Sequence, residues 1–159
     1  MRLHCTDLRR CTLQKEIIDM KGIIVVGVAI AIVLLVGISW ATNAEKEKAA
    51  ITAAQKWLTL IDAGKYSESW QESAEYFRNA VKQDQWGQML QSVRTPLGKV
   101  ISRKLKTKVY KTSLPGAPDG QYVVIQFETS FQNKKSAIET VTPMFEKDGR
   151  WKVSGYYIK

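Results

Sequence analysis

From Gly22 to Ile38 the chain reads GIIVVGVAIAIVLLVGI without a charged or strongly polar side chain, and Ser39, Trp40 and Ala41 extend the run. About 20 such residues suffice for a helix to cross ~30 Å of hydrocarbon. Beyond the run the pattern turns amphipathic. In EKEKAAITAAQKWLTLIDAGKY, apolar residues at Ala50, Ala53, Ala54, Trp57, Leu58, Leu60 and Ile61 recur at i, i+3 and i+4. That spacing predicts a helix from near Glu45 to Ala63, with Gly64 as its stop. A short helical turn over Lys65–Trp70 places Tyr66 and Trp70 on one face. A third helix runs from about Ser73 to Val81 with Ala74, Phe77 and Val81 inward. A fourth starts near Gln83 and carries Trp86, Met89, Leu90 and Val93. It is expected to end before Pro96, because the residue preceding a proline is pushed out of the α region.

After Pro96-Leu97-Gly98 the period changes to two. From Lys99 to Lys111, Arg103, Leu105, Thr107 and Val109 alternate with Lys104, Lys106, Lys108 and Tyr110, which predicts a strand with one solvated, charged face. The turn chemistry of Pro115–Gly120 connects it to a second strand, Tyr122 to Gln132. Asn133-Lys134-Lys135 leads to a third, Ser136 to Glu146, and Lys147–Arg150 makes a tight connection into the last, Trp151 to Ile158. Helices first and an antiparallel meander afterwards define an α+β fold: three to four helices packed on a curved four-stranded sheet, preceded by the membrane or signal helix.

Charge sharpens this division. The chain of 159 residues has 24 Lys and Arg against 15 Asp and Glu, a formal charge of +9, and residues 99–159 carry twelve of the basic residues but only five of the acidic ones. Such a surplus attracts anionic surfaces: a phospholipid headgroup, a polyanion or an acidic protein. Ahead of the apolar run stand Arg2, Arg9, Arg10, Lys15 and Lys21, whereas Lys46, Lys48 and Lys56 follow it. The bias points to a cytoplasmic segment over residues 1–21 and an extracytoplasmic domain over 45–159.

Two readings of residues 22–41 stand. As an uncleaved anchor, the run spans the membrane and Trp40 sits at its interface. As a signal-peptide core, translation starts at Met20 rather than Met1, and SWATNA offers small residues for a cut after Ala41 or Ala44. The protein is then in the inner membrane facing the periplasm, or soluble in the periplasm.

The blocks WLTLIDAGKYSESW, RTPLGKVISRKL, PGAPDGQYVV and TPMFEKDGRWKVSGYYIK, in that order, resemble a bacterial family of exported domains catalogued as a domain of unknown function. The resemblance covers roughly residues 50 to 159 and brings no activity with it. It implies the cone-shaped fold of nuclear transport factor 2 and the cystatin-like domains, which hosts enzymes, binding modules and immunity proteins alike. The chain is shorter than a typical member of that fold, which argues against a deep pocket.

The chemistry to be expected is sparse. Cys5, Cys11 and His4 all precede the apolar run, so the domain has no thiol or imidazole for nucleophilic, redox or metal chemistry. No metal and no cofactor is expected. An isomerase-like site needs a general base beside a proton donor, and only Asp62, Glu128, Glu139, Tyr66 and Tyr110 could supply one. Nothing in their spacing marks a pair, which favours hydrogen-bonded structural roles. The row Lys104, Lys106, Lys108 with Lys111 is the best binding candidate, for an anionic or protein partner of the envelope; nucleic acid is not expected. A non-catalytic binding module is therefore the first expectation, and a small pocket enzyme of isomerase or hydrolase type the alternative.

Overall fold

The computed structural model describes residues 43–159; the expected segments 1–21 and 22–41 lie outside them. Among the described residues no helix is long and apolar enough to cross a membrane. The described chain is an α+β unit of four helices and a four-stranded antiparallel sheet.

Helix α1 occupies residues 43–62 and buries Ala50, Ala54, Trp57, Leu58 and Ile61, the predicted stripe. Gly64, at φ 71°, ends it in the left-handed region. Its N–H bonds the Ile61 carbonyl at 3.1 Å, and the Lys65 N–H reaches back to Leu60 at 2.9 Å, closing the orphan carbonyls of the last turn.

Helices α2 (Tyr66–Gln71) and α3 (Glu75–Ala80) are short, and neither has a side-chain cap. Helices of this length are marginal alone, so tertiary bonds hold them. The Trp57 indole donates to the Ser69 carbonyl at 2.7 Å and to Ser73 Oγ at 3.1 Å, Trp86 donates to Ser69 Oγ at 3.0 Å, and Trp70 donates to the Val81 carbonyl at 2.7 Å. The third helix was expected over Ser73 to Val81. Its first two residues instead serve as its entry: Ser73 is committed to Trp57, and the Ala74 N–H donates to the Val153 carbonyl of the sheet at 2.8 Å.

Helix α4 (Gln83–Leu97) passes through Pro96 rather than ending before it. The β2–β3 turn overrides the local preference. Asn133 donates through its side-chain amide to the Pro96 carbonyl at 3.0 Å and through its backbone N–H to Leu97 at 3.0 Å, satisfying carbonyls that the helix end leaves open.

Strands β1 (Val100–Lys111), β2 (Tyr122–Phe131), β3 (Ala137–Phe145) and β4 (Trp151–Ile158) form a meander in the order β1-β2-β3-β4. Val123, Ile125, Phe127, Val141 and Val153 face the helices and join Trp57, Leu58, Ile61, Trp86 and Leu90 in one core. Tyr156 packs edge-on against Trp57 at 5.4 Å while its neighbour Tyr157 is exposed.

The strict alternation expected along β1 is broken twice. Register shifts fall between Val100 and Ser102 and between Leu105 and Thr107. Across the second, Leu105 pairs with the inward Phe127, but Lys108 pairs with the inward Ile125, so the phase reverses at Lys106. A bulge puts two residues of one strand opposite one of the other, and the alternation of side chains slips by one.

Helix α1 runs antiparallel to β1 and is bound to it near both ends. Glu47 meets Lys108 at 3.0 Å, and Asp62 meets Arg103 at 2.7 Å.

Candidate functional site

Three charged residues sit on apolar stripes. Arg94 is one helical turn beyond Leu90 on α4, Arg103 is in phase with Leu105 on β1, and Glu139 is in phase with Val141 on β3. Burying an ion without a partner is prohibitive, so such positions must converge or the fold fails. They converge. Glu139, fully buried, accepts five bonds. Its Oε1 receives Arg94 Nη1 at 3.3 Å, Arg103 Nη2 at 3.2 Å and the Tyr156 hydroxyl at 2.5 Å. Its Oε2 receives Arg103 Nε at 2.6 Å and Thr129 Oγ1 at 2.6 Å.

Asp62, the last residue of α1, completes the set by accepting Arg94 Nη2 at 2.7 Å and both terminal nitrogens of Arg103, at 2.7 and 3.0 Å. The Arg94 guanidinium also lies over the Phe131 ring, 4.7 Å from its centroid. Two arginines and two carboxylates balance, and among the described residues no buried side-chain polar atom lacks a partner. The first bulge of β1 makes this possible, since it turns Arg103 inward opposite Thr129.

The electrostatics follow from the geometry. Burial, reinforced by the neighbouring Glu139 carboxylate, holds the Tyr156 phenol well above its ordinary value and keeps it a donor. For Arg103, burial pulls the guanidinium down, but its bonds to Asp62 and Glu139 outweigh that and leave it more firmly protonated than usual. With five donors on it, Glu139 has no lone pair left for a substrate proton. Asp62 is more open, its side chain 28% exposed, and borders an open groove lined also by Tyr66, Arg94, Lys99 and Gln132.

Of the carboxylates and tyrosines considered from sequence, Asp62 and Glu139 are brought together through the arginines, and Tyr66 lines the adjoining groove. Glu128 faces outward opposite Lys104, and Tyr110 donates to Gln121 at 3.1 Å on the far half of β1. The spacing of Asp62 and Glu139 carries no sign of their meeting, and nothing local marks Arg94 or Thr129 as their partners. The available signal was the charge on each apolar stripe. Among the described residues no three His, Cys, Asp or Glu side chains converge as metal ligands.

The lysines do not form the continuous row expected of them. Lys104 faces outward opposite Glu128, Lys106 sits in the bulge, Lys108 turns to the helix side and pairs with Glu47, and Lys111 lies opposite Tyr122 at the strand end. All four are exposed. A further cleft of about 150 Å³ between α1 and β4 is walled by Trp57, Leu60 and Trp151. That is well below the roughly 300 Å³ at which small-molecule sites begin.

No curated protein and no solved structure matches the chain. The family model described as "Protein of unknown function (DUF4019)" matches residues 53–156. That stretch runs from the middle of α1 to Tyr156 and so contains all six residues of the charge network. The chain belongs to the DUF4019 family of proteins of unknown function.

Proposed function

We propose that the chain is an exported, non-catalytic binding domain of a bacterial cell envelope. One observation carries the non-catalytic part: the space between sheet and helices, where a cone-shaped fold of the nuclear transport factor 2 type holds its ligand, is filled here by Arg94, Arg103, Glu139 and Tyr156 bonded to one another. A group serving as a general base needs a free lone pair within reach of substrate, and Glu139 offers none. Helices stacked on one face of a four-stranded meander support the comparison with that cone. Export is supported by the apolar run 22–41 and the basic residues ahead of it. Binding then falls to the outer surface, where the basic residues of β1 stand.

The alternative, a pocket enzyme, would work at the groove beside Asp62, the one network carboxylate that solvent reaches. Site-specific photo-crosslinking in the native cell separates the two. Discrete crosslinked species from positions 106 and 111, with none from 99 or 132, support a surface binder. A small molecule retained in the groove of the isolated protein, together with a turnover that Asp62→Asn removes, overturns it.

A further inference from the structure

Strand β1 stands at the edge of the sheet, with β2 as its one neighbour there. Its 12 residues make it about twice the usual strand length, and nine of them are exposed. The register fixes where its free backbone points. Ile138 exchanges both backbone bonds with Lys159, at 3.0 Å each, so the alternate residues of β3, Glu139 and Val141, turn their N–H and C=O groups to β2. There they meet Phe127 and Ile125, whose backbone groups are thereby taken. Leu105 and Lys108 lie opposite Phe127 and Ile125, and Tyr110 lies opposite Val123 in the same phase. These three residues of β1 therefore aim N–H and C=O out of the sheet, and among the described residues no other backbone group meets them. An open edge of this kind is a template for a further strand.

Charge decides what can add to it. Arg103, Lys104, Lys106, Lys108 and Lys111 lie on β1, and no acidic residue does. The β1 edge of a second copy would bring the same charges against them, and like charges facing each other across strands destabilise the pairing. An acidic strand gains where a second copy loses. The carboxylates beside β1 are already matched: Glu47 to Lys108, Asp62 and Glu139 to Arg103, and Glu128 stands opposite Lys104. Glu75, Glu146 and Asp148 gather at the β3–β4 turn, at least two strand spacings or roughly 10 Å from β1, and the last two are held by Lys152 and Arg150. Asp119 lies beyond the strand, in the loop to β2. Lys106 and Lys111 make no ion pair among the described residues. Leu105 and Val109, 46% and 44% exposed on opposite faces of the strand, add apolar surface that the side chains of a neighbouring strand would cover.

Resting on the reading of β1 as the binding surface, we infer that this edge takes an extended acidic segment of a partner protein as a fifth strand. Backbone bonds at Leu105, Lys108 and Tyr110 hold the segment, and the lysines select it.

The test uses the full chain in neutral detergent micelles, with solvent exchange of each amide read by NMR. The probe is a capped octapeptide of alternating Thr and Glu. One control alternates Thr and Lys, and another is the Thr-Glu peptide N-methylated at every residue, which keeps the charge and removes the backbone donors. With about 1 mM Thr-Glu peptide the amides of Leu105, Lys108 and Tyr110 are expected to exchange roughly fivefold more slowly, while those of Lys104 and Val109, already turned to β2, change little. No slowing by this peptide, or equal slowing by either control, overturns the inference.

The double variant Lys106→Glu with Lys111→Glu should exchange the preference for the Thr-Glu peptide with that for the Thr-Lys peptide. Both positions are exposed, so the fold is kept. Unchanged preferences overturn the part given to the lysines. Crosslinks at positions 106 and 111 in the cell without amide protection would leave the surface reading and remove the fifth strand; protection without crosslinks would do the reverse.

Discussion

Arg103 holds Asp62 with two bonds, Nη1 to Oδ2 at 2.7 Å and Nη2 to Oδ1 at 3.0 Å, and so fastens the end of α1 to the edge strand β1. The same guanidinium also reaches Glu139, and breaking a buried pair leaves its partner charged and unpaired. Arg103→Met is therefore expected to destabilise the domain by about 3 kcal/mol, read as a lower urea midpoint. In a double-mutant cycle with Asp62→Asn the losses should fall short of additive by about 1 kcal/mol or more. Additive losses would mean that the pair is not coupled.

Tyr156 supplies a pH signature. Its phenol is held neutral by burial and by Glu139, so its folded pKa lies above the unfolded value of about 10. A group raised in this way contributes its full stabilisation below pH 10 and loses it as pH climbs, at about 1.4 kcal/mol per pH unit while only the unfolded state ionises. Thermal melts between pH 9 and 11 should fall more steeply for the native chain than for Tyr156→Phe. Parallel curves would contradict the assignment.

Two glycines with nearly the same φ should respond differently to alanine. Gly64, at φ 71°, has nothing within 4 Å of a built Cβ, whereas the Cβ at Gly98, at φ 72°, meets Gln132 Cβ at 3.0 Å. Gly98 also has ψ −160°, in a region open essentially to glycine alone. Gly64→Ala should cost about 1 kcal/mol and Gly98→Ala about 2–3 kcal/mol, measured by urea unfolding. The reverse order would mean that the α4–β1 junction relaxes freely.

At the β3–β4 turn, Asp148 accepts from Arg150 and Lys152, and these bonds hold its carboxyl down at about 2. A lowered carboxyl contributes above its unfolded value, near 4, and the contribution is lost as pH falls through 2. The carboxyl carbon of Asp148 in an NMR titration should have its midpoint near 2. A midpoint near 4 would show the turn pairing to be absent in solution.

Removing the indole donor at position 57 should be felt in the short helices. Trp57→Phe keeps most of the ring but removes the indole donor from the Ser69 carbonyl and the Ser73 hydroxyl, leaving them only their bond to each other, Ser73 Oγ to the Ser69 carbonyl at 2.7 Å. A loss of about 2 kcal/mol is expected, with amide exchange quickening over residues 66–80 ahead of the sheet.

The elements were legible because their signals are local: the stripe from Ala50 to Ile61, the turn residues at Pro115–Gly120, the alternation of β2 and β3. What escaped depends on contacts distant in sequence. Pro96 stays inside α4 because Asn133, on the far side of β1 and β2, satisfies its carbonyl. The bulge at Lys106 has no composition of its own, as lysine and threonine fit either register, and it alone divided the expected lysine row between two faces. The network was half-legible. Arg94, Arg103 and Glu139 each broke an apolar pattern, but their meeting depends on the first bulge of β1 and on where α1 ends.

The two ion pairs that bind α1 to β1 also fix how the domain responds to mechanical load. The first residues of α1 lie beside Lys108, while the last strand ends beside Ile138 and Glu139, at the other end of the sheet. A pull between these termini runs along the strands, so Glu47–Lys108, Asp62–Arg103 and the ladder bonds are strained together in shear rather than opened one by one. A domain held at its start and pulled from its end is thereby loaded along its most resistant direction.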